Sequence, residues 1–416
     1  MRDFQGSRPD ATYGVRRPAG KLTASDTAGV TRRQVLGRAA VLGGGLAMGY
    51  LLTACGRPAE GSDAVRIGFV SSNQGGLGAR IEMERNCMRL AVEELNAAGG
   101  LHGQPVRMVE AAGQNASERV GRLLAEQQAD AIIGVLSDAD RAAAARQLGR
   151  LGGLLIDAAP QAAAPCERGL VATGRVPSQQ VEPMADWVVT NVGRRVLVIG
   201  SADAWSRSAA EAIRRALGRH GQAPVAIRIV RDNAALDTAV ADSYEINPDV
   251  LWSLLQGYDA LRFGTQLGRR GSRALVVASR WDELDAAANP GLLTGALTSQ
   301  PWFKNLDSPA SRDYVARYKR QFGSDSTLSA SGEAISVAIK MYAAAAGRTG
   351  GTAVDDVLRA MPQVEVAAPS GPVRLDAASR VAVGEIYVGR VTAAGAIDVH
   401  DRLGRPAPAS VRCPSS

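Results

Sequence analysis

"VRIGFV" at residues 65–70, followed by "MERNCMRLAVEELNAAGG" at 83–100, decides the fold. The first stretch is an unbroken apolar run rich in β-branched residues, which reads as a strand buried on both faces. The second sets Met83, Cys87, Leu90, Ala91 and Leu95 at helical spacing and stops on Gly99-Gly100. The same alternation continues with "PVRMVE" (105–110), "ASERVGRLLAEQQ" (116–128), "DAIIGVL" (130–136), "DADRAAAARQLGRL" (138–151) and "GLLIDA" (153–158). Continuous apolar strands separated by amphipathic helices predict an α/β fold with a parallel sheet covered on both faces.

The pattern then starts again. "RRVLVIG" (194–200), "SRSAAEAIRRALGRHG" (206–221), "PVAIRIV" (224–230), "DTAVADSYEI" (237–246), "DVLWSLL" (249–255), "YDALRFGTQLGRRG" (258–271) and "ALVVAS" (274–279) form a second α/β series. "TGRVPSQQVEPMADWV" (173–188) lies between the series as a crossing that leads into a helix, and a return falls near "TGALTSQPWF" (294–303). Helical patterns at 309–322, 327–347 and 353–360 follow, and residues 371–399 are rich in strand and turn signals.

The N-terminal region belongs to neither series. Residues 1–38 hold eight Lys or Arg against three Asp and are rich in Gly, Ser, Thr and Pro, a composition too polar to bury a core. Ala39 to Ala54 is uncharged but only sixteen residues long, four of them glycine, and a membrane span needs about 20 apolar residues. A basic region, a short apolar region and a small-residue exit describe an export signal. Thr31-Arg32-Arg33-Gln34-Val35-Leu36 resembles the twin-arginine motif, and Leu52-Thr53-Ala54-Cys55 resembles a lipobox, so Cys55 is expected to carry a lipid. The leader also explains the charge. The whole chain is +7, but the 362 residues from Cys55 onward hold 40 bases against 38 acids, a net of +2. The basic balance therefore gives no support to a nucleic-acid partner.

Cys87, Cys166 and Cys413 remain, without CxxC or Cys/His spacing, and His102, His220 and His400 stand far apart, so no metal site is expected. Cys87 lies on the apolar face of its helix, which favours a buried free thiol over a Cys87–Cys166 bridge. Gly75-Gly76-Leu77-Gly78 lacks a full G-x-G-x-x-G, which argues against a dinucleotide, and no cofactor is expected.

Five stretches in register carry a family resemblance: the first strand with its long helix ending "EELNAAGGLHGQPV" (93–106), "PSQQVEP" (177–183), "SPASRDYVARYKRQFG" (308–323) and "APSGPVRLD" (368–376). Over about residues 64 to 400 the chain resembles the type I periplasmic solute-binding proteins of ABC importers, the Leu/Ile/Val-binding-like superfamily. Within them it is most similar to the branch that binds short-chain amides and urea. The resemblance implies two Rossmann-like lobes joined by three crossings, near residues 176–180, 299–303 and 368–372. It divides the chain into a leader (1–54), a linker (55–63), the N-terminal lobe (64–178), the C-terminal lobe (179–300), a return to the N-terminal lobe (301–370), a return to the C-terminal lobe (371–400) and a tail (401–416).

A cleft site has its own physical reason. Loops at the carboxyl ends of parallel strands converge, and helix N-termini there present free N–H groups. The resemblance carries a ligand-binding serine onto Ser137, whose other reading is a helix N-cap; one residue can do both. The expected ligand contacts are Ser71, Ser72, Gln74, Ser137, Asp138 and the Ala158–Ala159 loop from the first lobe, with Trp205, Gln256 and Gly257 from the second. Trp205 reads either as a wall of the cleft or as a ring packed under the following helix. The family's aromatic loop is replaced here by Asp157-Ala158-Ala159-Pro160-Gln161, which implies a roomier pocket or a different ligand. Asp138, Asp157, Asp203, Asp259 and Asp282 all fall at strand ends, as an acidic cleft or as helix caps. Arg80, Arg280 and Trp281 are expected near the same rim.

The resemblance thus implies a lipid-anchored, extracytoplasmic protein that delivers a small polar ligand (amide, urea or amino-acid-like) to ABC permease and ATPase subunits. A ligand-sensing receptor of the amide-binding type is the alternative. An exported enzyme would need a nucleophile–base pair, a metal cluster or paired carboxylates, and no GxSxG or histidine motif occurs.

Overall fold

The computed structural model describes residues 64–72 and 78–409; Cys55, Gln74 and Cys413 lie outside them. The first lobe runs β1 (Val65–Ser71), α1 (Gly78–Ala97), β2 (Val106–Val109), α2 (Ala116–Ala125), β3 (Ala131–Val135), α3 (Asp138–Leu151), β4 (Leu155–Asp157) and β5 (Leu170–Ala172). Its sheet is parallel, in the order β2-β1-β3-β4-β5. The second lobe runs α4 (Pro177–Asn191), β6 (Val196–Ser201), α5 (Ala204–Arg219), β7 (Ala226–Val230), α6 (Asn233–Ile246), β8 (Val250–Leu254), α7 (Gly257–Arg270), β9 (Leu275–Ala278), α8 (Glu283–Ala288) and β10 (Leu297–Gln300). The chain then adds α9 (Pro309–Phe322), α10 (Ala330–Thr349), α11 (Val354–Ala360), β11 (Glu365–Ala368), β12 (Gly371–Leu375), β13 (Ala382–Val383), β14 (Ile386–Val391) and β15 (Ile397–Gly404). The second sheet has the order β15-β14-β10-β9-β8-β6-β7, with β14 antiparallel to both neighbours.

Both sheets share one winding. The order reverses between β1 and β3 in the first lobe and between β6 and β8 in the second, and these are the switch points at which a doubly wound sheet opens a crevice. Each sheet is covered on both faces. In the first lobe α1 and α10 pack with Ile67, Phe69 and Ile133 on one side, while α2 and α3 pack with Val70, Ile132 and Leu155 on the other. In the second lobe α4 and α5 cover Val198 and Trp252, and α6 and α7 cover Ile199 and Leu251. Burying several such β-branched and aromatic side chains, at roughly 1.5–3 kcal/mol each, is what sets each sheet between its helices. The expected stop after α1 is real: Gly100 has φ +76°, and a Cβ there would stand 2.0 Å from the Gln104 carbonyl oxygen.

One boundary differs from the expectation. The third crossing was placed near 368–372, with 371–400 assigned to the second lobe. Residues 365–383 instead form a small antiparallel sheet, β11-β12-β13, whose Val366, Ala368, Val373, Leu375 and Ala382 belong to the first lobe's core. Strand β11 alternates exposed and buried residues and so offers one apolar face to the α10 side of that core. The chain crosses only at Gly384–Glu385, before β14 joins the second sheet. Cys87 is buried and free, and Cys166 is disulfide-bonded, so the two do not bridge.

Candidate functional site

A buried ion pair builds the first lobe's share of the site. Asp157, at the end of β4 and fully buried, receives Arg141 Nε at 2.6 Å through Oδ2. Its Oδ1 accepts the backbone N–H groups of Leu136 at 3.2 Å and Ala159 at 3.0 Å. Arg141 also holds Asp138 Oδ1 at 2.5 Å and the Leu136 carbonyl at 2.9 Å. One guanidinium and one carboxylate thus fasten the loop after β3 to the loop after β4. Burial pulls the Arg141 pKa down, but the two aspartates more than offset it and hold the guanidinium above its ordinary value. The same loop is pressed close: a Cβ on Gly174 would stand 1.7 Å from the Ala159 carbonyl oxygen.

Ser137 caps α3, its Oγ accepting the Asp140 N–H at 3.2 Å, while its own N–H donates to Ser72 Oγ at 2.8 Å. The hydroxyl donates in turn to Asp140 Oδ2 at 3.0 Å and keeps a lone pair at the mouth of α3, so the capping reading holds. The backbone N–H groups of the Ala158–Ala159 loop are engaged within the first lobe. The Ala158 N–H goes to the Gly134 carbonyl at 2.7 Å and the Ala159 N–H goes to Asp157, so this loop supplies wall and no free donors.

Across the gap, Asp203 caps α5 through the Ser206 N–H at 2.8 Å and also accepts Arg280 Nη1 at 2.9 Å. The Arg280 guanidinium carbon lies 4.9 Å from the Trp205 ring centre. Trp205 is only 3% exposed, so its ring floors the arginine and the guanidinium forms the surface. Burial draws Arg280 below its ordinary pKa against the pull of Asp203 and, from the first lobe, Asp138. Gln256 precedes α7 without a side-chain cap bond, Gly257 has φ +55°, and Tyr258 stands 65% exposed beside them. Trp281, expected at the rim, is buried and is not part of the cavity wall.

These pieces enclose one cavity of about 1070 Å³ between the lobes. Of the ten expected contacts, nine line it: Ser71, Ser72, Ser137, Asp138, Ala158, Ala159, Trp205, Gln256 and Gly257; Gln74 lies outside the described residues. The strand-end aspartates divide by role. Asp203 and Asp282 are helix caps, Asp157 is structural, Asp138 and Asp259 sit in first helical turns, and four of the five are paired with arginine. The acidic-cleft reading is therefore largely neutralised by charge.

A model of the family described as periplasmic binding protein matches residues 64–396. The chain belongs to the periplasmic binding protein family. Solved periplasmic binding proteins share its fold at low identity. A solute-binding protein of an ABC transporter from Rhodopseudomonas palustris BisB5, in complex with 3,4-dihydroxybenzoic acid, is 18% identical with a TM-score of 0.73, over 85% of this chain and 99% of that one. An amino acid ABC transporter substrate-binding protein from Pseudomonas fluorescens Pf-5 is 17% identical with a TM-score of 0.72, over 84% and 97%. A branched-chain amino acid transporter substrate-binding protein from Streptococcus pneumoniae, in complex with isoleucine, is 17% identical with a TM-score of 0.70, over 82% and 99%.

The cavity of this periplasmic binding protein has members that sequence reasoning missed. Glu84, 2% exposed, accepts from Ser71 Oγ at 2.8 Å and Ser331 Oγ at 3.3 Å. Burial lifts its carboxyl to about 7, against those bonds and the Arg80 charge. Its signal was present: an acid between Met83 and Cys87 on the apolar face of α1, four residues after an arginine. Arg175, buried at the first crossing, donates to the Thr173 carbonyl at 2.7 Å and keeps Nε unpartnered; burial draws it down to about 10. Tyr258 was read only as the start of a helix. Among the described residues, no group of three or more His, Cys, Asp or Glu could hold a metal ion.

Two outcomes follow for this periplasmic binding protein. Arg141→Met strands Asp157 as a buried charge, and urea unfolding is expected to show a loss of about 3–5 kcal/mol; a change under 1 kcal/mol would refute the anchoring role. The second concerns pH. Burial raises Glu84 from 4.5 to about 7, and burial followed by the Asp282 charge raises Glu283 from 4.5 to about 8. The folded state therefore holds protons that the unfolded state releases. That stability is fully present below about pH 4.5 and is lost as pH rises through 7–8. The melting temperature should fall from pH 6 to pH 9, and Glu283→Gln should flatten part of that fall. An equal slope in the variant would show that Glu283 does not titrate there.

Proposed function

We propose that the chain is an extracytoplasmic solute-binding lipoprotein, which captures a small polar ligand between its lobes and passes it to the permease and ATPase of an ABC importer. The observation that carries this reading is the interlobe cavity of about 1070 Å³, whose walls come from the switch points of both sheets. A cavity split between two lobes suits capture by hinge closure. Arg80 and Arg280 on its walls are paired with Asp282, Asp285 and Asp203, and the serines and Gln256 beside them can offer a solute hydrogen bonds. The proteins of like fold named above are in complex with 3,4-dihydroxybenzoic acid and isoleucine, both small and each carrying a carboxyl group.

In this reading Ser71, Ser72, Ser137 and Asp138 face the solute from the first lobe. Arg280 on its Trp205 floor, with Gln256, Gly257 and Tyr258, faces it from the second. The small Ala158–Ala159 wall leaves room for an amide, urea or amino-acid-like ligand. Cys55 is the proposed anchor point, fed by the twin-arginine-like leader. No described helix is long and apolar enough to cross a membrane.

The test of the pocket is a thermal-shift screen of amides, urea, amino acids and benzoates. A true ligand at 100 times its dissociation constant stabilises the folded state by roughly 2.7 kcal/mol. Against the best hit, Ser137→Ala should lose one buried hydrogen bond, about 1–3 kcal/mol or roughly 5- to 150-fold in affinity. If no compound of these classes shifts the melt, or the variant binds as the parent does, the placement fails. The anchor has its own test. The parent chain expressed in a lipoprotein-processing host should take up labelled fatty acid, and Cys55→Ser should take up none and leave the membrane fraction. An unlabelled parent chain would sink the anchor.

A further inference from the structure

Arg80 stands in the first turn of α1, on the first lobe, and reaches the N-terminal turn of α8, on the second. Its guanidinium grips Asp282 twice, Nη1 to Oδ2 at 2.5 Å and Nη2 to Oδ1 at 3.1 Å, and meets Asp285 Oδ2 at 3.4 Å. The pairing is well shielded: the three side chains are 30%, 11% and 17% exposed. Directly beside it Leu284, 7% exposed, is counted in the core of the first lobe although α8 belongs to the second. A forked arginine–carboxylate contact of this kind is both strong and specific in geometry.

Arg405 Nη2 meets Glu365 Oε2 at 3.1 Å as a second, more exposed ion pair across the lobes, and the place of the Arg80 contact sets it apart from the remaining bonds that join them. Gln179 to the Ala382 carbonyl, Tyr387 to the Ser370 carbonyl, and the Lys304 N–H to Glu283 all involve residues at or next to the crossings. Bonds at a crossing lie near the axis of a hinge motion and can survive it. Helices α1 and α8 are rigid elements of different lobes, so a rotation that carries α1 away from α8 stretches the Arg80 contact. Arg80, Asp282 and Asp285 all line the cavity, so the contact guards the space it borders.

We propose that Arg80, clasped by Asp282 and Asp285 with Leu284 seated beside them, is a latch that holds the two lobes closed over the cavity before any solute arrives. Opening must separate the forked pair and return Leu284 to water. The charge inventory works in the same direction. Glu84 lies one turn along α1 from Arg80, and Asp282, Glu283 and Asp285 share the first turn of α8. Arg80 is the cation facing these carboxylates, with Lys304 at the second crossing the next charge toward Glu283. Removing Arg80 takes from Asp282 and Asp285 their partner on the first lobe, which favours opening. Because the closed form is the one a solute completes, the fraction of molecules latched scales the apparent affinity directly.

The inference rests on the two-lobed fold and not on the identity of the solute, so the test uses none. Ala139→Cys and Tyr258→Cys place spin labels on exposed residues of opposite lobes at the cavity rim; Cys87 is buried and Cys166 bonded. Distances are measured by pulsed electron resonance on protein refolded free of solute. The parent should give one narrow, short distribution. Arg80→Met should make a longer, broader population the major one, and Arg80→Lys should restore part of the short one. The pair Asp282→Asn and Asp285→Asn should repeat the lengthening without touching Arg80, so a folding failure of either variant leaves the other to decide. A parent that is already long and broad, or variants whose distances match a short parent, would overturn the latch.

Discussion

The contact between Arg141 and Asp157 is the interaction on which the rest of the site depends. Asp157 is fully buried, and a buried carboxylate is tolerated only when its charge and lone pairs are answered. Here one oxygen takes the guanidinium and the other takes two backbone N–H groups, from Leu136 and Ala159. Those partners lie in two different loops, each leaving a strand of the same sheet. Satisfying one buried charge therefore fixes two walls of the cavity. It also sets where α3 begins, because Leu136 leads directly into the Ser137 cap.

The same logic recurs at larger scale. Asp203 and Asp282 fall at strand ends because a βα turn needs a cap, and a cap brings a negative charge to the mouth of the sheet, as Asp138 and Asp259 do from the first helical turn. Left alone, five such charges around one cavity would repel each other and any anionic solute. Arg141, Arg280 and Arg80 answer four of them. Each arginine then acquires a second role from its position. Arg141 welds loops within a lobe, Arg280 sits over the Trp205 ring and lines the cavity, and Arg80 spans the lobes.

The repeated strand–helix order was legible because buried parallel strands must be apolar throughout and their helices amphipathic; those constraints act locally, on VRIGFV or RRVLVIG alone. The positions facing the cavity were legible for a topological reason, since loops after β1, β3, β6 and β8 must converge at the switch points. The third crossing was not. "GPVRL" reads as a strand in either lobe, and only the packing of Val373 and Leu375 against the first lobe's core assigns it. The backbone of Ala158 and Ala159 meets a related limit: the place of this loop at a strand end is visible in sequence, but the Gly134 carbonyl that takes the Ala158 N–H is not. Trp205 shows the same limit, because whether a ring is wall or floor depends on Arg280, 75 positions away in the chain.

The aromatic wall expected from the family resemblance and missing from "DAAPQ" is replaced by a different surface chemistry. Small residues after β4 enlarge the space, and the second lobe fills part of it with a guanidinium backed by a ring and with Tyr258, exposed at the start of α7. A guanidinium is planar like an aromatic side chain, but it also donates hydrogen bonds within its plane. Nη1 is committed to Asp203, so the orientation of that plane is set before a solute meets it. In the proposed function this exchanges a wall that selects by shape for one that selects by shape and by acceptor position. Tyr258, exposed at the start of α7, stands on the same wall of the cavity as Arg280.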